Sequence, residues 1–276
     1  MTALVLGLGG CAGPSTEDAA PVTSGPLTDG FDIEPSSSLL GAVFPMPYPY
    51  GGEGHQAILR VDGDVERVLE GYVQQAEGLG YLFDVEYNRP EGQRCSRQYS
   101  SLPADYPEGC SAYGAIPDDL GQDRVRLGLQ GLVEPDGQGY ITLSIGLYSN
   151  DAPDFSPVPD GPVAHVSDDE LAPELNPSTD DPPVHLVEGS TSMIDPLPST
   201  CATGGYVAVL QVTGELTRVL RGYEDQFSNA GFTGSYELIE LGDGLIVATE
   251  AAGGGTMTAV GVPGDPSYVL VERCND

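Results

Sequence analysis

The sequence predicts an α+β protein of two tandem, pseudo-symmetric units, each one helix packed on an antiparallel β-sheet in the order β-α-β-β-β, with room for a fifth strand. Three observations carry this. Residues 57–81, AILRVDGDVERVLEGYVQQAEGLGY, align without a gap onto residues 208–232, AVLQVTGELTRVLRGYEDQFSNAGF, at an offset of 151 with eleven of 25 positions identical. Self-similarity of that density marks a repeated supersecondary unit. Within each copy an apolar run is followed by apolar residues at steps of three and four, the period of a helix with one buried face. The remainder of each copy breaks into short apolar runs separated by turn residues at hairpin spacing.

Taken in order, each copy opens with a strand, 57–61 or 207–212, closed by Asp62-Gly63 or Thr213-Gly214. The helix stripe is then Val65, Val68, Leu69, Tyr72, Ala76 and Leu79, or Leu216, Val219, Leu220, Tyr223, Phe227 and Ala230. Asp62 or Thr213 is the expected N-cap, with Asp64 or Glu215 in the first turn, where the helix dipole favours an acid. Gly80 or Gly231 supplies the left-handed residue that stops the helix. In the second copy TGSYELIEL, LIVATEAA, TMTAVGV and SYVLVERC follow as strands; in the first, YLFDVEY, DRVRLGLQGLV and YITLSIGLYS, with an insertion carrying Cys95 and Cys110. Upstream, Glu34–Leu40 aligns with Glu188–Ile194 at an offset of 154, which places an extended segment before each first strand. The expected domains are a signal-peptide remnant 1–10, a flexible acidic tether 11–33, a first unit 34–149, a Pro/Asp-rich linker or strap 150–187 and a second unit 188–276.

The N-terminus reads MTALVLGLGG before Cys11. This apolar run is too short to span a bilayer, which takes about 20 residues, but long enough for the core of a signal peptide. Leu8-Gly9-Gly10-Cys11 resembles the lipobox of bacterial lipoproteins, and the following AGPSTEDAAPVTSGPLTDG is similar to the tether such proteins carry. The resemblance implies a diacylglyceryl thioether on Cys11 and a location in the cell envelope, on the outer face of the membrane. It departs from the pattern in one respect, since no basic residue precedes the apolar run. Removing Cys11 from the five cysteines leaves four, which suits an oxidising compartment. Four cysteines admit three connectivities; Cys95–Cys110 with Cys201–Cys274 is favoured because it keeps each bridge inside one copy. No CxxC is present and no His lies near a Cys, so the spacing does not suit zinc.

Charge excludes several functions. The chain of 276 residues holds 42 acidic and 10 basic side chains, a net charge of −32, and every basic residue is Arg. Such an excess repels phosphate backbones and anionic headgroups, so nucleic-acid binding is not expected and membrane contact is expected only through the lipid. Catalytic motifs are missing: there is no Gly-x-Ser-x-Gly elbow, and His55, His165 and His185 have no partner at an informative spacing. The Asp-rich linker residues Asp168, Asp169, Glu170, Asp180 and Asp181, with Asp62 and Asp64, offer hard oxygen ligands for calcium but form no calcium-loop motif. Weak binding candidates are Arg67 and Arg218, at the same helix position in both copies, and Tyr48 and Tyr50 of the MPYPYGG tract. The expected function is a lipid-anchored, non-enzymatic binding protein holding a ligand or partner, such as an envelope protein or a glycan, in the groove between the units. The alternative is an envelope hydrolase using carboxylates or a calcium ion.

Overall fold

The computed structural model describes residues 21–47, 53–83, 89–96, 106, 108–117, 123–147, 156–166, 184–199, 205–230, 232–251 and 255–274. It is mixed α/β and mainly β, with two helices and antiparallel sheets. In chain order come β1 (Pro26–Thr28), β2 (Phe31–Asp32), β3 (Ser37–Leu39), β4 (Phe44–Pro47), β5 (Glu53–Val61), α1 (Val65–Gly78), β6 (Cys95–Ser96), β7 (Glu108–Pro117), β8 (Asp123–Val133) and β9 (Gly139–Leu147). The chain continues through β10 (Ser156–Pro157), β11 (Ser190–Ser192), β12 (Leu197–Pro198), β13 (Gly205–Val212), α2 (Leu216–Asn229), β14 (Phe232–Leu241), β15 (Gly244–Ala251), β16 (Thr256–Val262) and β17 (Ser267–Cys274).

Of three sheets, β1-β2 is a two-stranded ribbon; one large sheet runs β3-β5-β9-β8-β7-β6 with β4 also on β5, and the other runs β10-β14-β15-β16-β17-β13-β11 with β12 also on β13. In both, the last strand returns beside the strand that precedes the helix, β9 along β5 and β17 along β13. Alternation along these strands sends side chains to two different cores. Leu59, Val61, Ile141 and Leu143 face α1, while Ala208, Leu210, Val269 and Val271 face α2. The opposite faces, with Ile58 and Tyr140 from the first sheet and Val207, Val209, Val260 and Leu270 from the second, share a third core. The layers therefore run helix, sheet, sheet, helix. Burial on both faces explains why β13 reads as a nearly unbroken apolar run.

Each helix is held from behind by an upstream strap. Gln75 accepts from the Asp32 N–H (2.8 Å) and donates to its carbonyl (3.1 Å); Gln226 does the same to His185, at 2.9 Å each. Each glutamine amide thus replaces a peptide in a strand ladder. The Tyr72 hydroxyl lies 3.1 Å from Ser37 Oγ, and the Tyr223 hydroxyl 3.1 Å from Ser190 Oγ. Burial raises the phenol pKa of both tyrosines. Glycine at one helix position lets the strap come close. A Cβ on Gly71 would lie 2.5 Å from the Glu34 carboxyl carbon, and one on Gly222 would lie 2.7 Å from the Ala164 carbonyl oxygen.

Several expectations are corrected. The N-caps are Asp64, whose side chain accepts from the Arg67 N–H, and Glu215, which makes no side-chain capping bond; neither is Asp62 or Thr213. Asp32/His185 and Ser37/Ser190 correspond at an offset of 153, not 154. The left-handed residue ahead of each serine is Ser36 (φ 68°) in one strap and Gly189 (φ 89°) in the other, so matching glutamates slipped the alignment by one. Residues 26–33, assigned to a flexible tether, include two paired strands and the buried Phe31. The stretch 150–187 has two readings, linker or strap: Ser156 and Pro157 pair with β14, and Ala164, Val184, Leu186 and Val187 join the α2 core, which suits the strap.

Candidate functional site

Residues from both sheets meet at one end of the sandwich around a cleft of about 320 Å³. Its wall is Leu27 and Thr28 of β1, Val43 and Pro45 beside and in β4, Gly54 and His55 of β5, Gly242 and Asp243 in the β14–β15 turn, and Val262 ending β16. The register Pro45↔His55 fixes two of these side by side. Opposite them, the β14–β15 turn comes so close that a Cβ on Gly244 would lie 2.5 Å from Pro45 Cγ. The β1–β2 connection is Asp29-Gly30, with φ of 49° and 88°, two left-handed residues as a tight hairpin turn requires. That turn delivers the Asp29 carboxylate to the cleft rim. It lies 2.8 Å from His55 Nδ1 and accepts from the Thr28 hydroxyl at 3.0 Å.

A second polar group lies deeper, between the sheets. Glu272 of β17 is buried and accepts from the Ser199 hydroxyl at 2.7 Å; Gln56 of β5 also hydrogen-bonds it, which ties the two sheets together. Burial raises the Glu272 carboxyl pKa, and its two hydrogen bonds only partly offset this. In the core between the sheets, burial also raises the Tyr140 phenol, with the Glu134 carboxylate adding to the effect and Arg60 opposing it.

The residues singled out in the sequence are placed differently. Cys95 and Cys110 are cross-strand partners in a disulfide, and Cys274 is disulfide-bonded at the end of β17. Glu66 and Glu70 of α1 hold the backbone of Arg94 and Cys95 and the Arg94 guanidinium, and so brace the first bridge. Arg218 is engaged by Glu188 at 2.5 Å, and Arg67 is exposed on α1. These arginines sit on helices in opposite outer layers and do not converge on one ligand. Cys11, Cys201, Tyr48, Tyr50, Asp168, Asp169, Glu170, Asp180 and Asp181 lie outside the described residues. Among the described residues no group of three or more His, Cys, Asp or Glu side chains is arranged to hold a metal. No described helix is long and apolar enough to cross a membrane.

Sequence reasoning missed the residues that wall the cleft and the His55–Asp29 pair. The signal that could have found the pair is Asp29-Gly30, the strongest short hairpin dipeptide, lying inside a stretch classed as tether. No protein-family model, no curated protein and no solved structure matches this chain.

Proposed function

We propose that this protein is a lipid-anchored envelope lipoprotein that binds a small ligand, without catalysis, in the cleft between two duplicated halves. The observation that carries the binding reading is the origin of the cleft wall: 27–55 supplies one side and 242–262 the other. A pocket assembled from both halves at their junction is the usual place for a ligand, and its volume lies at the lower end of the range for small-molecule sites. The duplication is supported by the shared strand order, by the paired Gln75/Gln226 and Tyr72/Tyr223 anchors, and by glycine at the same helix position. Anchoring at Cys11 and an outer-face location rest on the lipobox resemblance, and Cys201 is the partner we assign to Cys274. The apolar wall, and a Thr28 hydroxyl that donates to Asp29 and not to His55, favour binding over hydrolysis.

Native mass spectrometry of the full-length protein purified from membranes tests the reading. The expected spectrum shows a lipid adduct at Cys11 and a retained small molecule. That molecule is absent from Val43→Trp, whose indole fills the cleft. An identical retained mass in both proteins would refute the cleft as the site.

A further inference from the structure

The polar side chains of the cleft have one chemical sense, which narrows the ligand. Asp29 is a carboxylate and therefore only accepts hydrogen bonds. Its Oδ2 takes the Thr28 hydroxyl proton at 3.0 Å and faces His55 Nδ1 at 2.8 Å. Facing a carboxylate, His55 Nδ1 carries the proton, and in the neutral ring Nε2 is then an acceptor. Thr28, with its proton committed to Asp29, offers lone pairs. The third polar side chain of the wall, Asp243, accepts only. One carboxylate outside the wall thus uses the donors of two wall residues, and the three polar side chains that line the cleft all present acceptors.

The rest of the wall is apolar: Leu27, Val43, Pro45 and Val262. Among the described lining residues there is no arginine to receive an anion. Around them is a chain of net charge −32, which raises the local concentration of cations and lowers that of anions. A matching ligand carries several N–H donors and a positive charge on an apolar body. Size is consistent with this, since at ~30 Å³ per molecule the cleft holds on the order of ten waters.

We propose that the cleft takes an organic ammonium ion, an aryl- or alkyl-amine whose charged nitrogen pairs with Asp243 and donates to His55 Nε2 and Thr28 Oγ1. This assignment rests on the cleft being the binding site.

Three probes of similar shape separate the two claims: 2-phenylethylamine, 3-phenylpropanoate and 3-phenylpropan-1-ol, titrated into the folded protein by calorimetry. The expected order is amine first, alcohol about tenfold weaker and carboxylate weaker still, the gap being that of one charge-assisted hydrogen bond. Asp243→Asn lowers the affinity for the amine to about that for the alcohol and leaves the alcohol unchanged. Asp29→Asn, in a left-handed position that asparagine tolerates, replaces one acceptor oxygen by a donor amide and also weakens the amine. Equal binding of all three probes, blocked by Val43→Trp, would overturn the ammonium assignment and leave the cleft standing. Binding that Val43→Trp does not alter would overturn both. An amine preference that persists in Asp243→Asn would overturn the role of Asp243 as counter-ion.

Discussion

Glu272 makes stability depend on pH with a sign opposite to that of most carboxylates. Its carboxyl lies between the sheets, is 6% exposed, and is partnered by Ser199 and Gln56, both neutral. Its register neighbours, Val207 on β13 and Thr258 on β16, are uncharged as well. The folded-state pKa is raised above the ordinary 4.5. The favourable contribution is therefore complete below the unfolded-state value, shrinks as pH rises above it, and is lost once pH passes the folded-state value. Within that window the loss is about 1.4 kcal/mol per pH unit, one proton's worth. Glu272→Gln keeps the shape and hydrogen-bonding groups but cannot ionise. Urea unfolding of wild type and Glu272→Gln from pH 4 to pH 8 isolates the effect. The variant is expected to match wild type at pH 4 and gain on it at that slope above pH 4.5, reaching a plateau where the wild-type group is ionised in both states. Parallel curves across the whole range would show that Glu272 is not buried between the sheets as described. Glu272→Ala, by contrast, removes the group that Ser199 and Gln56 both hydrogen-bond and should lose about 2–4 kcal/mol at pH 4, where both proteins are uncharged at this position.

Other consequences are equally measurable. Gly222→Ala should destabilise by about 1–3 kcal/mol in urea melts although alanine is the better helix former, because the added Cβ meets the Ala164 carbonyl; Gly71→Ala should lose less, since the Glu34 side chain can swing aside. A more stable Gly222→Ala would mean that the strap does not lie against the helix. Gln226→Ala removes both bonds to His185, about 1–3 kcal/mol in total, and should speed hydrogen exchange at the His185 amide before the β13 amides respond. Exchange that rises uniformly across the second sheet would contradict a local clamp. Cys95→Ser with Cys110→Ser opens a bridge between residues 15 apart and should lower unfolding free energy by about 3 kcal/mol, read as a shift in the urea midpoint.

Much of the fold could be read from residue order. The two helices, their buried stripes and the hairpin strands follow from periodicity, and nearly every stripe residue is buried; Leu79 is the clear exception, 40% exposed. Sheet-on-sheet packing was less legible because an apolar run such as YVAVLQV marks burial on both faces without naming what covers the second. The straps were half read: serine and glutamate made a visible match, but the backbone conformation that aligns them is carried by serine in one copy and glycine in the other. A groove between the units is an expectation of the sequence, but the residues that wall the cleft are not legible in it. That wall combines Leu27, Pro45, His55, Asp243 and Val262, which no spacing rule connects. His55 looked solitary because its partner lies 26 residues upstream across a turn.

The bridge between Val22 and Leu39 ties the chain to the folded body much earlier than composition suggested. On the anchored reading, Cys11 and Val22 are eleven residues apart in sequence, a separation that can span at most about 40 Å. A tether ending at residue 33 would have allowed roughly twice that. Leu27 and Thr28, on the cleft wall, follow within six residues of that attachment point. If Cys11 carries the lipid and the cleft is the binding site, as proposed, the mouth of the cleft lies within a few nanometres of the bilayer, within reach of molecules that leave or approach the membrane surface.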